Sequence, residues 1–283
     1  MKRRLFTLVL LVLVSLTLPL TAYADAGPKP SVQVTFSPVP NQVCYGTLLS
    51  STKSTGPSSV WDGVAEHARY EDGEEEIWQA FVDYQDPDGF YFLQETWNCG
   101  ETGRLDWTYY PPQSFKILLY FPDSGQFWTS PIYERYAFDS YFTVDLTAAE
   151  NGVFTARKAY DFTWELVSMA ARMVLTLAVE LLLALVFGYR SAKQLRIITL
   201  VNVCTQLGLN LLINLANWQS GFFAFLLAYF GLELVVFFVE AALYARWLTP
   251  GKSGKKAVLY ALAANVLSFW AGIQVSLWIP GIA

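Results

Sequence analysis

The chain changes its hydrophobic period once, near residue 160. From Ser31 onward the period is two. Val32, Val34 and Phe36 alternate with Ser31, Gln33 and Thr35, and comparable runs lie at 42–49, 77–84, 90–97, 106–110, 115–121, 125–130 and 137–146. Short alternating runs at this spacing predict strands of an all-β domain. Asp86-Pro87-Asp88-Gly89 and Pro122-Asp123-Ser124-Gly125 supply Asp and Pro to enter a turn and Gly to leave it with positive φ. Both are expected to close hairpins. Seven or eight such strands in residues 25–150 predict a two-sheet β-sandwich, immunoglobulin-like or transthyretin-like.

Beyond a linker at 151–166 the alternation gives way to four long apolar runs, at 167–189, 197–218, 222–248 and 257–280. Each is long enough to cross a bilayer as a helix, so a four-span α-helical bundle is expected over 167–280. The connector after the first run carries Arg190, Lys193 and Arg196, and that after the third carries Arg246, Lys252, Lys255 and Lys256. The second, at Gln219-Ser220-Gly221, carries no charge. The positive-inside bias therefore puts the first and third connectors in the cytoplasm, with the preceding domain and the carboxyl terminus outside. Trp164, Trp218 and Trp278 then fall near the outer boundary, where an amphipathic ring is stable. The amino terminus agrees with this orientation. Lys2-Arg3-Arg4, an apolar stretch from Leu5 to Leu20, and Ala22-Tyr23-Ala24 follow the order of a secretory signal with cleavage after Ala24.

Composition separates the two parts by solvent. Residues 25–160 hold 19 acidic and 8 basic side chains, whereas 162–283 hold four acids, all Glu. The acidic exported part has no basic stripe, which argues against nucleic acid as a partner. Its many aromatic rings are expected mainly in the core, with a few outward rings available to an extracellular protein or glycan. The run Glu71-Asp72-Gly73-Glu74-Glu75-Glu76 reads as a solvated loop. Asp86, Asp88, Gly89 and Glu95 match EF-hand spacing in part, but Tyr84 occupies the first ligand position, so turn chemistry is the better reading and no metal site is expected. Cys44 and Cys99 lie in the exported part, either as a disulfide or as two separate buried thiols. Cys204 reads as a small packing residue in a membrane helix.

Polar residues inside apolar helices are costly and mark helix contacts or sites. Glu180 lies ten residues before Arg190, about 15 Å from the cytoplasmic end of its helix. Asn202, Gln206, Asn210 and Asn214 recur every four residues, and Glu233 and Glu240 share a face with Tyr229 and Tyr244. Glu180, Asn202, Gln206, Asn210, Glu233, Glu240 and Asn265 are thus expected to converge on the bundle axis. They would form either a cation, proton or polar-substrate site, or hydrogen-bonded glue between helices. Val179-Glu180 recurs as Val239-Glu240, and Asn202-Val203 recurs as Asn265-Val266, which suggests two tandem helical hairpins. Four helices barely enclose a pathway, so a transporting form would require a homo-oligomer. The single histidine, His67, and the lack of a Walker-type loop exclude a His-based zinc site, a Ser-His dyad in the bundle and ATP hydrolysis. No catalytic residues and no cofactor are assigned, and the chain is not expected to be an enzyme.

The stretches Asp25–Ser31, Cys44–Ser50, Ile132–Asp139 and Phe187–Arg190 together resemble a family of uncharacterised bacterial membrane proteins with an exported domain and a four-helix tail. The resemblance spans nearly the whole chain and implies architecture without adding chemistry. From all of this the sequence predicts a cell-surface, multi-pass membrane protein whose β domain recognises a partner and whose bundle anchors it or signals. The alternative is a small transporter or channel component using the intramembrane Glu and Asn residues.

Overall fold

A computed structural model describes residues 27–40, 42–249 and 253–278. The signal segment and the last residues before the carboxyl terminus lie outside that range. The chain divides into two compact units, 28–160 and a second that contains 161–278.

The first unit is rich in sheet. One sheet has the order β11-β10-β1-β6, formed by Ala156–Lys158, Asp139–Val144, Ser31–Phe36 and Arg104–Trp107. β1 and β10 run parallel, and the other pairs are antiparallel. The second sheet has the order β5-β2-β7-β8, formed by Trp97–Asn98, Tyr45–Ser50, Ser114–Phe121 and Gln126–Thr129, with β9 (Tyr133–Glu134) beside β7. A small hairpin pairs β3 (Ser54–Thr55) with β4 (Ser58–Ser59). Val32, Val34 and Phe36 of β1 meet Leu48 of β2 and Phe115, Ile117 and Leu119 of β7 in one cluster, so the inward faces of both sheets share a core. Alternation produces this because every second side chain of a strand points to the same face.

β7 is buried along nearly its whole length, with Ile117 and Leu119 on the first core and Leu118 on a second. The cover on that second face corrects the sequence expectation. Residues 77–83 are not a strand but lie in helix α1 (Glu75–Asp83), and Tyr84 caps its end. Ile77, Trp78, Phe81 and Val82 fall at helical spacing and pack on Leu49, Phe92 and Leu118. The first unit is therefore not all-β. The acidic run acquires a structural use: Glu75 and Glu76 occupy the first turn of α1, where negative charge complements the helix dipole.

The two turns also diverge. Pro122–Gly125 closes the β7–β8 hairpin, with the Gly125 amide donating to the Pro122 carbonyl at 3.2 Å. Asp86–Gly89 turns the chain after α1 and closes no hairpin, although its Gly89-to-Asp86 bond of 3.0 Å is made. The expected linker contributes β11 to the first sheet and then the start of a helix at Thr163.

Cys44 and Cys99 are free thiols, both buried. The β2–β5 register pairs Tyr45 with Asn98 and Gly46 with Trp97, and the Gly100 amide donates to the Cys44 carbonyl at 2.9 Å. A β-carbon on Gly46 would lie 2.7 Å from the Cys99 sulfur, so this glycine makes room for the thiol. Burial pushes the Cys44 thiol up to about 12 and raises Cys99 as well. Both remain protonated and inert at neutral pH.

The second unit holds helices α3 (Thr163–Val186), α4 (Ala192–Trp247) and α5 (Lys255–Trp278), after the short α2 (Cys99–Thr102) of the first unit. Among the described residues two helices, α3 and α4, are long and apolar enough to cross a membrane, where the sequence predicted four. The difference lies partly in α5, which is not among those helices, and partly in α4, whose 56 residues contain a break at Gly221, with φ 78° and ψ −177°. That region of backbone space is open essentially to glycine alone. The Thr205 hydroxyl nevertheless lies 2.6 Å from Glu240 Oε1. In a straight helix those residues would be about 50 Å apart, so α4 folds back on itself at Gly221. Val174, Leu182, Val186, Leu200 and Leu211 are 65–79% exposed, apolar surface suited to lipid rather than water.

Candidate functional site

The apolar outside of the helical unit encloses a polar inside. On α3, Ser168, Arg172, Thr176, Glu180 and Ala184 are buried at strict spacing of four. On the first arm of α4, Asn202, Gln206 and Asn210 form the matching buried stripe, while Asn214 at its end is half-buried. Residues four apart lie on one helix face, and the two stripes meet in antiparallel register. Arg172 Nε donates to Asn210 Oδ1 at 3.1 Å. One layer along, Thr176 and Gln206 line the same small cavity. In the next layer Asn202 faces the Glu180 carboxyl.

The first layer centres on two carboxyl groups. Glu240 Oε1 accepts from the Thr205 hydroxyl at 2.6 Å, and its Oε2 accepts from Asn265 Nδ2 at 2.8 Å. Glu180 Oε2 accepts from the Tyr244 hydroxyl at 3.1 Å, with the Tyr260 hydroxyl 3.5 Å away and also bonded to the Glu180 carbonyl at 3.1 Å. The Glu180 and Glu240 carboxyls face each other. Glu180 and Asn202 are both 1% exposed, yet Glu180 Oε1 and Asn202 Nδ2 have no hydrogen-bond partner. Buried polar atoms left unpaired cost on the order of 1–3 kcal/mol each and are uncommon in folded chains.

The second layer lies toward the start of α3. Arg172, Asn210, Tyr229 and Glu233 surround a cavity of about 10 Å³, room for about one water, with Thr176, Gln206, Ser268 and Gly272 completing it. The Arg172 guanidinium also lies 6.0 Å from the Phe225 ring centre. Glu233, half-buried, bonds to Tyr229.

All seven polar residues singled out from the sequence therefore belong to this core. Glu180, Asn202 and Glu240 with Asn265 form one layer, and Gln206, Asn210 and Glu233 the other. Sequence reading missed Arg172, Thr176, Thr205, Tyr260 and Ser268. The spacing of four from Ser168 to Ala184, which passes through Arg172 and Glu180, was the available signal.

The remaining candidates have local partners. Asp86 and Asp88 hold Lys116, at 2.5 and 3.0 Å, and Glu95 accepts from the Ser58 hydroxyl at 2.8 Å. The partial EF-hand match is thus a set of carboxylates with different partners. Among the described residues no group of three or more His, Cys, Asp or Glu is placed to hold a metal. In the β-rich unit a polar cleft of about 280 Å³ is lined by Ser59, Asp62, Glu66, His67, Arg69 and Gln94. There the His67 ring hydrogen-bonds Asp62 at 2.8 Å and, with the Val64 amide, holds the Asp62 carboxyl below its ordinary value.

Compared with protein-family models, curated protein sequences and solved structures, the chain matches none.

Proposed function

We propose that the chain is a small transport or channel component of the cell membrane whose working part is the buried polar core of its helices, responsive to a proton or another small cation. The observation that carries this reading is the unpaired buried pair, Glu180 Oε1 and Asn202 Nδ2, beside a second carboxyl. Interhelical glue is stabilising only when its bonds are made, and here two facing polar groups of adjacent helices, beside a second carboxyl, lack one. No enzymatic role is assigned.

The reading carries the finer architecture with it. The two arms of α4, with α3 and α5, make four spans. The charged connectors face the cytoplasm, and the carboxyl terminus and the β-rich unit lie outside after cleavage of the signal. That unit is read as a sandwich of immunoglobulin-like or transthyretin-like kind. A labelling experiment tests the orientation. With Cys44, Cys99 and Cys204 replaced, a cysteine at Ser220 should react with an impermeant reagent on intact cells and one at Ser253 should not. Equal labelling would refute it.

The direct test is functional. Full-length protein in liposomes should show cation or proton flux, or a thermal midpoint that depends on pH or on added cation through linkage. A protein inert to both would remove the transport reading.

The second reading is recognition of an extracellular protein or glycan by the β-rich unit. It is favoured by the exposed Tyr109 and Tyr110 rings, with Lys29 Nζ 5.9 and 5.4 Å from their centres. Rings and a cation on one surface suit a sugar face or a protein partner. In this reading the helices anchor the recognition unit and pass its state inward.

A further inference from the structure

We infer that Glu180 and Glu240 form a proton-binding pair in which Glu180 holds the proton on Oε1 and Glu240 is the carboxylate. The inference rests on the bundle being the working part of the molecule and names the ion it takes.

Donor counting leads to this assignment. Glu240 accepts a hydrogen bond on each oxygen, from Thr205 and from Asn265. Two donors on one carboxyl stabilise its ionised form. Glu180 differs in where its donors fall: the Tyr244 and Tyr260 hydroxyls both lie at Oε2, at 3.1 and 3.5 Å, and Oε1 has no hydrogen-bond partner. Two ionised carboxylates facing each other inside an apolar bundle would repel, so one of them retains a proton. The bare oxygen is where that proton fits, in a carboxyl that neighbours Glu240.

The same count argues against a metal cation. Sodium, calcium or magnesium requires several oxygen ligands with free lone pairs. Here hydroxyl and amide hydrogens already point at three of the four carboxyl oxygens, and one remaining oxygen can take a proton but cannot coordinate a metal. The groups facing the pair agree. α3 brings Glu180, α4 brings Glu240 and Tyr244 with Glu233 seven residues before Glu240, and α5 brings Tyr260. The nearest cations belong to other layers: Arg172 is eight residues along α3 and bonded to Asn210, and Lys256 lies over the Tyr189 ring at 5.1 Å.

The hairpin correspondence adds a switch. Glu180 with Asn202 and Glu240 with Asn265 occupy equivalent positions in the two hairpins. The second pair is closed at 2.8 Å, whereas in the first Glu180 Oε1 and Asn202 Nδ2 are neighbours without a bond of that quality. Moving the proton from Glu180 to Glu240 turns Glu180 into the carboxylate that Asn202 can close upon. The two pairs thereby provide two arrangements of one bundle, selected by the position of one proton.

The test is the carbonyl stretch of a protonated carboxyl, read by infrared difference spectroscopy on the full-length protein in lipid nanodiscs and confirmed by its shift in D2O. With E233Q as the parent, so that the third core carboxyl adds no band, the parent should show the band at neutral pH, E180Q should lose it and E240Q should keep it. Absence of the band in the parent overturns the proposal, as does its survival in E180Q or its loss in E240Q. Should E180Q fail to assemble, the parent and E240Q decide alone. Loss of the parent band on adding sodium or potassium at constant pH would overturn the proton assignment while leaving a cation-responsive bundle intact. The expected band pattern without any liposome flux would keep the proton pair and reject transport.

Discussion

Lys116→Met is expected to destabilise the β-rich unit by about 3–5 kcal/mol, the range for breaking a buried ion pair from one side. Lys116 lies on β7 against the turn that follows α1, with its side chain 4% exposed and Asp86 at 0%. Asp86 Oδ2 accepts from the Asp88 and Phe90 amides, and its Oδ1 accepts from Lys116. Removing the ammonium leaves a charge with no route to water. Asp88 is 57% exposed, so D88N should cost only about 0–1 kcal/mol, as exposed pairs do. The double variant D86N/K116M should recover part of the loss, because both charges are then gone. Urea denaturation of a fragment spanning 28–160 measures all three. A loss below about 1 kcal/mol for K116M would show that water reaches Asp86.

The same pair sets an alkaline limit. Burial pulls the Lys116 ammonium down, but its hydrogen bonds to Asp86 and Asp88 and their charges outweigh it and hold the group above its ordinary value. A folded value above the unfolded one gives stability that is complete below the unfolded lysine value of about 10.4 and lost as pH rises through the folded value. Cys44, pushed by burial from 9.0 to about 12, adds a loss of the same sign over that window. Stability of the fragment should therefore be insensitive to these groups near neutrality and fall above pH 9.

Phe81→Ala should cost a similar amount, about 3–5 kcal/mol. The Phe81 ring is 0% exposed and lies 5.3 Å from Phe92, 5.9 Å from Tyr120 and 5.8 Å from Phe127, between α1 and the second sheet. Truncation removes the transfer term and leaves a cavity that three rings held by β-strands and a turn cannot collapse to fill. Ile77, half-buried on the same helix, should cost roughly 1 kcal/mol or less on truncation, in proportion to the smaller area it hides. In F81A the fluorescence of Trp78 should shift to the red as α1 loosens. Equal losses for I77A and F81A would mean that α1 is not seated through Phe81.

Local periodicity was sufficient where one partner surface decides the conformation. The alternation of β1, β7 and β10 and the stripe Asn202, Gln206, Asn210 could be read directly, because a strand or helix presents one face regardless of what covers it. The seven polar residues of the core were legible for the same reason, since a polar atom in an apolar helix must turn inward. α1 was not legible as a helix, because Ile77 to Tyr84 is too short for its apolar positions to separate the two periods, and docking onto Leu49 and Leu118 settled the choice. Arg172 required Asn210, 38 residues away, to become a core residue.

The fold-back at Gly221 was visible as a connector, but the meeting of Thr205 with Glu240 depends on how the two arms of α4 pack. The unpaired oxygen of Glu180 lies furthest from anything written in the chain. Composition places a carboxyl in the bundle, whereas the number of hydrogens that reach it depends on Tyr244, Tyr260 and Asn202 coming together from two helices. The sequence by itself determined which segments exclude water and which faces turn inward, because those follow from local spacing. Tertiary structure alone decided which polar atoms are satisfied, because hydrogen bonds between helices depend on positions far apart in the chain.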